Sequence, residues 1–323
     1  MPYATPILLC SLLLLACSEG EDALPRVPST EGVDCEVAPF DEDLIAADLA
    51  YLASPELDGR VPGTEGDEAA RAVVEERFAC LGLSPLLPAD AYQEPFTDAS
   101  DRETANVIAA IRGSDASLND EVILLSAHLD HLGDGLLGAN DNASGLSGLL
   151  AIAAAMSKQA PPSRTVVFAA FGSEESGFEG SEAFYTSSES STPATDIVFS
   201  LNMDMVGTYD QTDTVYALGT LPGTPGRTVI DALAGDYPSL DVGVGDWSDQ
   251  SDNVTFCSRG VPYIFMWTED PDCYHEACDT EDRIDYSHMV DILRLTADAT
   301  SELASTDGDL AGAVERGRDV CVP

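Results

Sequence analysis

Three largely apolar runs constrain the fold of this chain more than any other feature: Val122–Ala127, Thr165–Phe171 and Ile197–Val206. They are rich in Val, Ile, Leu, Phe and Ala, and each contains or is soon followed by a histidine or a carboxylate. Such short apolar runs read as strands buried on both faces, which only a sheet covered by helices on each side provides. Further strand-like runs lie at Asn106–Ile111, Val215–Leu218 and Val261–Trp267. Helical apolar spacing occupies 43–54, 65–82, 143–158, 178–187, 225–235 and 286–304. This alternation predicts an α/β fold: one domain with a central, mostly parallel mixed β-sheet flanked by helices on both faces. The segment between Leu86 and Thr104 is too short for an inserted domain, and no internal repeat breaks the pattern.

The ends of the chain read differently. Ile7–Ala16 is apolar but too short to anchor in a bilayer, and it leads into Leu14-Leu15-Ala16-Cys17. Although no Lys or Arg precedes the run, this resembles a bacterial lipobox. Residues 1–17 are expected to be a signal peptide with Cys17 as lipidation candidate, an ordinary signal peptide cut nearby being the alternative. Residues 18–35, rich in Glu, Asp, Pro and Ser, are expected to be a flexible acidic tether, and 36–323 the catalytic domain. The product would be exported, as a cell-envelope lipoprotein or a secreted protein. Beyond Cys10 and Cys17 six cysteines remain, and an even number in an exported chain suggests disulfides. Cys273 and Cys278 are close enough to staple one loop.

With 58 acidic residues against 14 basic ones, the formal net charge is -44. Such a surface repels nucleic acid and anionic lipid, so neither is an expected partner, and a membrane is met only through a lipid anchor. The same field favours ligands that carry a free amine.

Five short segments carry chemistry. Leu124–Gly133 runs into His128, with Asp130 two positions on; along an extended strand the two share a face, so Asp130 would orient His128 as a metal ligand. Gly138–Gly145 places Asp141 just ahead of a helix, where an ionised carboxylate is favoured; it reads equally as a bridging ligand or as a cap, a role that Asn142 can fill. Val166–Glu175 ends in adjacent carboxylates, whose repulsion a cation would relieve: Glu175 as ligand and Glu174 as the base that takes a proton from water. Phe199–Gly207 holds Asp204 in an apolar setting where an unpaired charge is costly. Cys273–Thr280 presents His275 in the stapled loop. His131 and His288 make no comparable claim. Nitrogen and oxygen donors without sulfur suit zinc.

These five blocks, in this order, together with Leu57-Asp58-Gly59-Arg60 and Leu81-Gly82-Leu83, resemble the M28 family of zinc aminopeptidases over about Leu52 to Leu303. The resemblance implies two zinc ions per chain. Asp141 would bridge them, His128 and Asp204 would complete one site, and Glu175 and His275 the other. It implies Glu174 as general base, Asp130 as the acid behind it and Tyr274 as a hydrogen-bond donor to the tetrahedral intermediate. The substrates implied are peptides with a free N-terminus. Ser251-Asp252-Asn253 with Phe256, Gly260 and Pro262 resembles a further block, with no role assigned to Asn253. A His-Glu-x-x-His helix and a Gly-x-Ser-x-Gly elbow are both absent. Other readings stay open: a glutaminyl cyclase with one zinc, a carboxypeptidase that would need a cation such as Arg259 or Arg283, or a binding ectodomain without catalysis.

Overall fold

The computed structural model describes Met1 and residues 38–187, 196–245 and 248–316. Apart from Met1, the segments expected to be a signal peptide with Cys17 and a tether lie outside the described residues, as do Cys35 and Cys321. In chain order the helices are α1 (Glu42–Leu52), α2 (Glu65–Cys80), α3 (Gly145–Ser157), α4 (Glu179–Thr186), α5 (Pro225–Leu233), α6 (Asn253–Cys257), α7 (Tyr286–Ser305) and α8 (Leu310–Arg316). The strands are β1 (Ser84–Pro85), β2 (Gln93–Thr97), β3 (Glu103–Ile111), β4 (Val122–His128), β5 (Thr165–Phe171), β6 (Ile197–Met203), β7 (Val215–Leu218), β8 (Val242–Val244) and β9 (Tyr263–Thr268). All nine join one sheet in the order β1-β3-β5-β4-β6-β9-β7-β8, with β2 also paired to β3. The middle four, β5, β4, β6 and β9, run parallel, and β3 and β7 flank them antiparallel.

Alternation along the central strands divides the interior in two. On one face Ile123, Leu125, Ala127, Val166, Phe168 and Ala170 join side chains of α1, α2, α3, α5 and α7. On the other, Val122, Leu124, Val167, Ala169 and Phe171 meet Phe184 of α4 and Phe256 of α6. Both faces are therefore apolar, and each fully buried Leu, Val or Phe contributes about 1.5–3 kcal/mol by leaving water. A strand buried on one side only would have tolerated polar residues at alternate positions; β4 carries only Ser126 before its terminal His128, and β5 only Thr165 at its start.

Sequence reasoning missed three strands. β2 contains Pro95, a residue confined to sheet edges, and β1 and β8 are two and three residues long, too short to show a period. Strand β6 also ends earlier than expected, at Met203, which leaves Asp204 just beyond its end. No described helix is long and apolar enough to cross a membrane.

Candidate metal centre

The parallel strands all point their C-terminal ends at one edge, and the polar residues gather there. His128 is the last residue of β4; Glu174 and Glu175 follow β5, and Asp204 follows β6. Ligands of open α/β sheets collect at this edge because the loops beyond it are free to vary. Asp141 reaches it from the irregular turn 139–144 that enters α3. His275 reaches it from a loop closed by the Cys273–Cys278 disulfide; Cys80 and Cys257 are also held in disulfides.

The donor atoms converge on Asp141. Its Oδ1 lies 3.1 Å from His128 Nε2, and its Oδ2 lies 3.1 Å from His275 Nε2. His128 Nε2 is also 3.2 Å from Asp204 Oδ1, and His275 Nε2 is 3.2 Å from Glu175 Oε2. Each of these nitrogens has room for one proton yet faces two carboxylate oxygens, so hydrogen bonding alone leaves one oxygen of each pair unserved. A cation among the donors would meet them all. Two groups of atoms lie within 4.8 Å of one another: His128, Asp141 and Asp204, and His131, Asp141 and Glu175. Nitrogen and carboxylate donors of this kind fit a borderline-soft divalent ion such as zinc.

Asp141 is available because its neighbour does the capping. Asn142 Oδ1 accepts from Gly145 N (2.9 Å) at the start of α3, and Asn142 Nδ2 donates to Met203 O (3.0 Å). The buried Asp279 accepts from the amides of Asn140 (2.7 Å) and Asp141 (3.0 Å), fixing the turn from below. Gly138 sits at φ +64°, and a Cβ there would overlap Asp141 O and the His131 ring. Arg60, fully buried, donates to Leu129 O (2.7 Å), Leu137 O (3.0 Å) and Gly138 O (3.1 Å), and also to Leu52 O. Burial lowers its pKa to about 10, still well charged at neutral pH, with Asp130 and Asp141 holding it up.

The electrostatics separate the two adjacent glutamates. Burial raises Glu174 well above the ordinary carboxylate range against the attraction of His128, and Asp204 and Asp252 add repulsion in the same direction as burial. Burial acts on Glu175 too, but hydrogen bonds from His131 and His275 win and hold it below its usual value. Asp141 is likewise held low by bonds from His128 and His275 against the effect of burial. One glutamate thus favours binding a proton and the other favours remaining an anion.

Several expectations need correction. The Asp130 carboxylate does not lie along His128: its Oδ1 is 4.0 Å from His128 Nδ1, which instead donates to the Asp130 carbonyl at 3.0 Å. β4 ends at His128, so the shared-face rule of an extended strand stops there. The carboxylate turns instead to the two glutamates, accepting from the amides of Glu174 (2.9 Å) and Glu175 (3.3 Å). His131, set aside from sequence, is buried and donates from Nδ1 to Glu175 Oε1 at 2.8 Å. Its signal was the spacing of three from His128 in a chain with only four histidines. His288 pairs with Asp285 and stacks on Tyr209 instead. Asn253 donates to Ser248 O and takes no part in the cluster.

Beside the cluster opens a cavity of about 330 Å³. Among the described residues six carboxylates line it, those of Asp141, Glu174, Glu175, Asp204, Glu269 and Asp270, and no Lys or Arg does. Tyr274, 53% exposed, borders it and stacks on His275 at 3.9 Å between ring centroids. Burial and the nearby carboxylates Asp141 and Glu175 raise its pKa, so the hydroxyl keeps its proton.

Comparison with known proteins agrees with this arrangement. An aminopeptidase of Pseudomonas aeruginosa is 29% identical over 204 residues, a match covering 55% of this chain and 37% of that protein. The chain thus spans little more than a third of the length of that curated relative. The fold resembles that of a zinc aminopeptidase from Bacillus subtilis, with a TM-score of 0.68 at 15% identity, covering 84% of this chain and 97% of the other. It is similar to a Porphyromonas gingivalis glutaminyl cyclase as well, with a TM-score of 0.65 at 19% identity and coverage of 83% and 100%. The family model of peptidase family M28 matches residues 106–300, from β3 through α7, and so takes in every residue of the cluster. By that match the chain belongs to peptidase family M28.

Proposed function

We propose that this protein removes N-terminal amino acids from peptides, using a pair of zinc ions and Glu174 as the general base. One observation carries the reading: the two oxygens of Asp141 face two different histidines, His128 and His275, as a carboxylate shared by two cations would. His128 and Asp204 would complete one position, and Glu175 and His275 the other. Zinc bound there would supply a Lewis acid and bring the pKa of water from 15.7 down to about 7.

The chain's own residues then do the following. Glu174, pushed towards proton binding, takes a proton from the attacking water and returns it to the leaving amine. Asp130 fixes the backbone at that point by accepting from the amides of Glu174 and Glu175, so the carboxylate is held ready. Tyr274 stands at the rim, where its protonated hydroxyl can donate to the oxyanion that forms. Carboxylates close to the reacting centre hold the substrate's free α-amine.

Among the described residues no Lys or Arg lines the cavity, which argues against a carboxypeptidase, since that enzyme must bind a terminal carboxylate. Arg259 is engaged by Glu182, and Arg283 by Asp270. The fold does not separate an aminopeptidase from a glutaminyl cyclase, since it resembles both; the shared Asp141 with a full set of donors on each side favours the two-ion chemistry. Export belongs to the same proposal, supported by disulfides at Cys80, Cys257, Cys273 and Cys278, which form in oxidising compartments.

The test is release of amino acid from free and N-acetylated peptides, with zinc counted on the same sample. Cleavage of the free form alone with two zincs bound is the expected result. Glu174→Gln should keep both zincs and lose at least about a hundredfold in kcat, the scale of general acid–base assistance; full turnover in that variant would end the assignment.

A further inference from the structure

The cavity runs sideways from the metal cluster, which caps β5, β4 and β6, to the end of the next strand, β9. Phe265, Trp267 and Glu269 line it, while Met266 and Thr268 do not. That is the period of two expected of one strand face, continued one residue past the strand. Phe265 is almost fully buried, and Trp267 packs against Tyr216 at 5.6 Å between centroids, so this wall is rigid. Met205 adds a second apolar surface from the end of β6. Beyond the aromatic pair stands Glu269, which among the described residues has no side-chain hydrogen bond or ion pair. Asp270, by contrast, has its charge paired with Arg283 (2.9 Å), and the same Oδ1 accepts from the amide of Cys273 (3.2 Å), while its Oδ2 is buried without a hydrogen bond among the described residues.

The pocket thus sets an apolar corridor, lined by Phe265, Trp267 and Met205, beside the reacting centre, and puts in the same lining a carboxylate that makes no bond among the described residues. A short or branched apolar side chain would fill the corridor and leave Glu269 without a partner. A side chain with a methylene stem and a cationic head meets both parts, because its stem lies along Phe265, Trp267 and Met205 while its head reaches the carboxylate. Aromatic faces along the way favour a cation as well. The geometry points to lysine and arginine as the N-terminal residues this enzyme selects, with Glu269 as the specificity-determining residue. The inference rests on the aminopeptidase reading above.

The experiment compares kcat/KM for the p-nitroanilides of lysine, arginine, methionine and leucine. Methionine matches the lysine stem without its charge, so the lysine-to-methionine ratio isolates the head group. That ratio should be about ten in the wild type, fall to about one in Glu269→Gln and drop below one in Glu269→Lys, the range expected of one charge contact in a specificity pocket. A wild-type ratio at or below one would overturn the proposal. So would a ratio that Glu269→Gln leaves unmoved; equal losses on all four substrates would give that result and place Glu269 on the shared α-amine. If none of the four is hydrolysed, the aminopeptidase reading itself fails. Calorimetry with lysinamide and norleucinamide on the zinc-loaded protein then decides the pocket: tighter lysinamide upholds its character, and equal or weaker binding refutes it.

Discussion

Asp141 and Asn142 are neighbours of nearly equal size, yet their surroundings give them opposite work. The amide side chain of Asn142 can donate and accept at once, so it ties the start of α3 to Met203. The carboxylate of Asp141 can only accept, and it faces two histidines. Sequence made Asp141 an even choice between ligand and cap, because a one-residue difference ahead of a helix lies below the resolution of pattern reading. Asp204 and His275 were more legible: an acid in an apolar run and a rare histidine beside paired cysteines each stand out from composition. His131 was not, because its role depends on where the chain turns after β4. Through its bond to Glu175 it fixes the orientation of a ligand oxygen. If the proposed pair of zinc ions is held here, replacing it by Asn should weaken binding of the ion beside Glu175 by about 10–100-fold, the usual cost of losing such a support, while the ion beside His128 is little changed. Competition with a chromophoric chelator would measure both.

At the scale of elements, the loops matter more than the strands that carry them. The central strands were readable to within a few residues because burial on both faces leaves a continuous apolar signature. The turn 139–144 left no such trace, being held by contacts from Asp279 and Arg60 far away in sequence. Gly138 shows the tightness of that turn. Gly138→Ala would place a Cβ against Asp141 O and His131 at a positive φ. It should cost about 1–3 kcal/mol in stability, the range of a strained backbone position, and lower zinc retention as well. Urea unfolding and metal content after dialysis would show the two losses together, whereas a change confined to an exposed loop would move neither.

For the whole molecule, charge is the dominant fact. A net charge of -44 makes the compact state repel itself, and salt should relieve this while weakening attraction for cationic substrates. Burial adds a second pH-dependent term. Asp252, fully buried, has its pKa pushed up to about 7, with Ser181 only partly offsetting the desolvation. The unfolded chain would titrate this group near 3.9. Because the folded value is the higher one, the protonated group favours folding at low pH, and that contribution is lost as pH rises from about 4 through about 7. The slope is at most roughly 1.4 kcal/mol per pH unit for one proton. Urea midpoints of the metal-free protein should therefore fall between pH 5 and pH 8, and fall less in Asp252→Asn.

Arg60 joins these scales. Its single guanidinium is bonded to the last residue of α1, to the carbonyl after His128 and to the two carbonyls that lead into the Asp141 turn. Neither loop can move away without breaking bonds to a buried cation that has no water to turn to. Loosening of the Asp141 turn on metal depletion should therefore reach the end of α1 at Leu52 through this one side chain, and a cut near α1 should in turn speed the loss of metal.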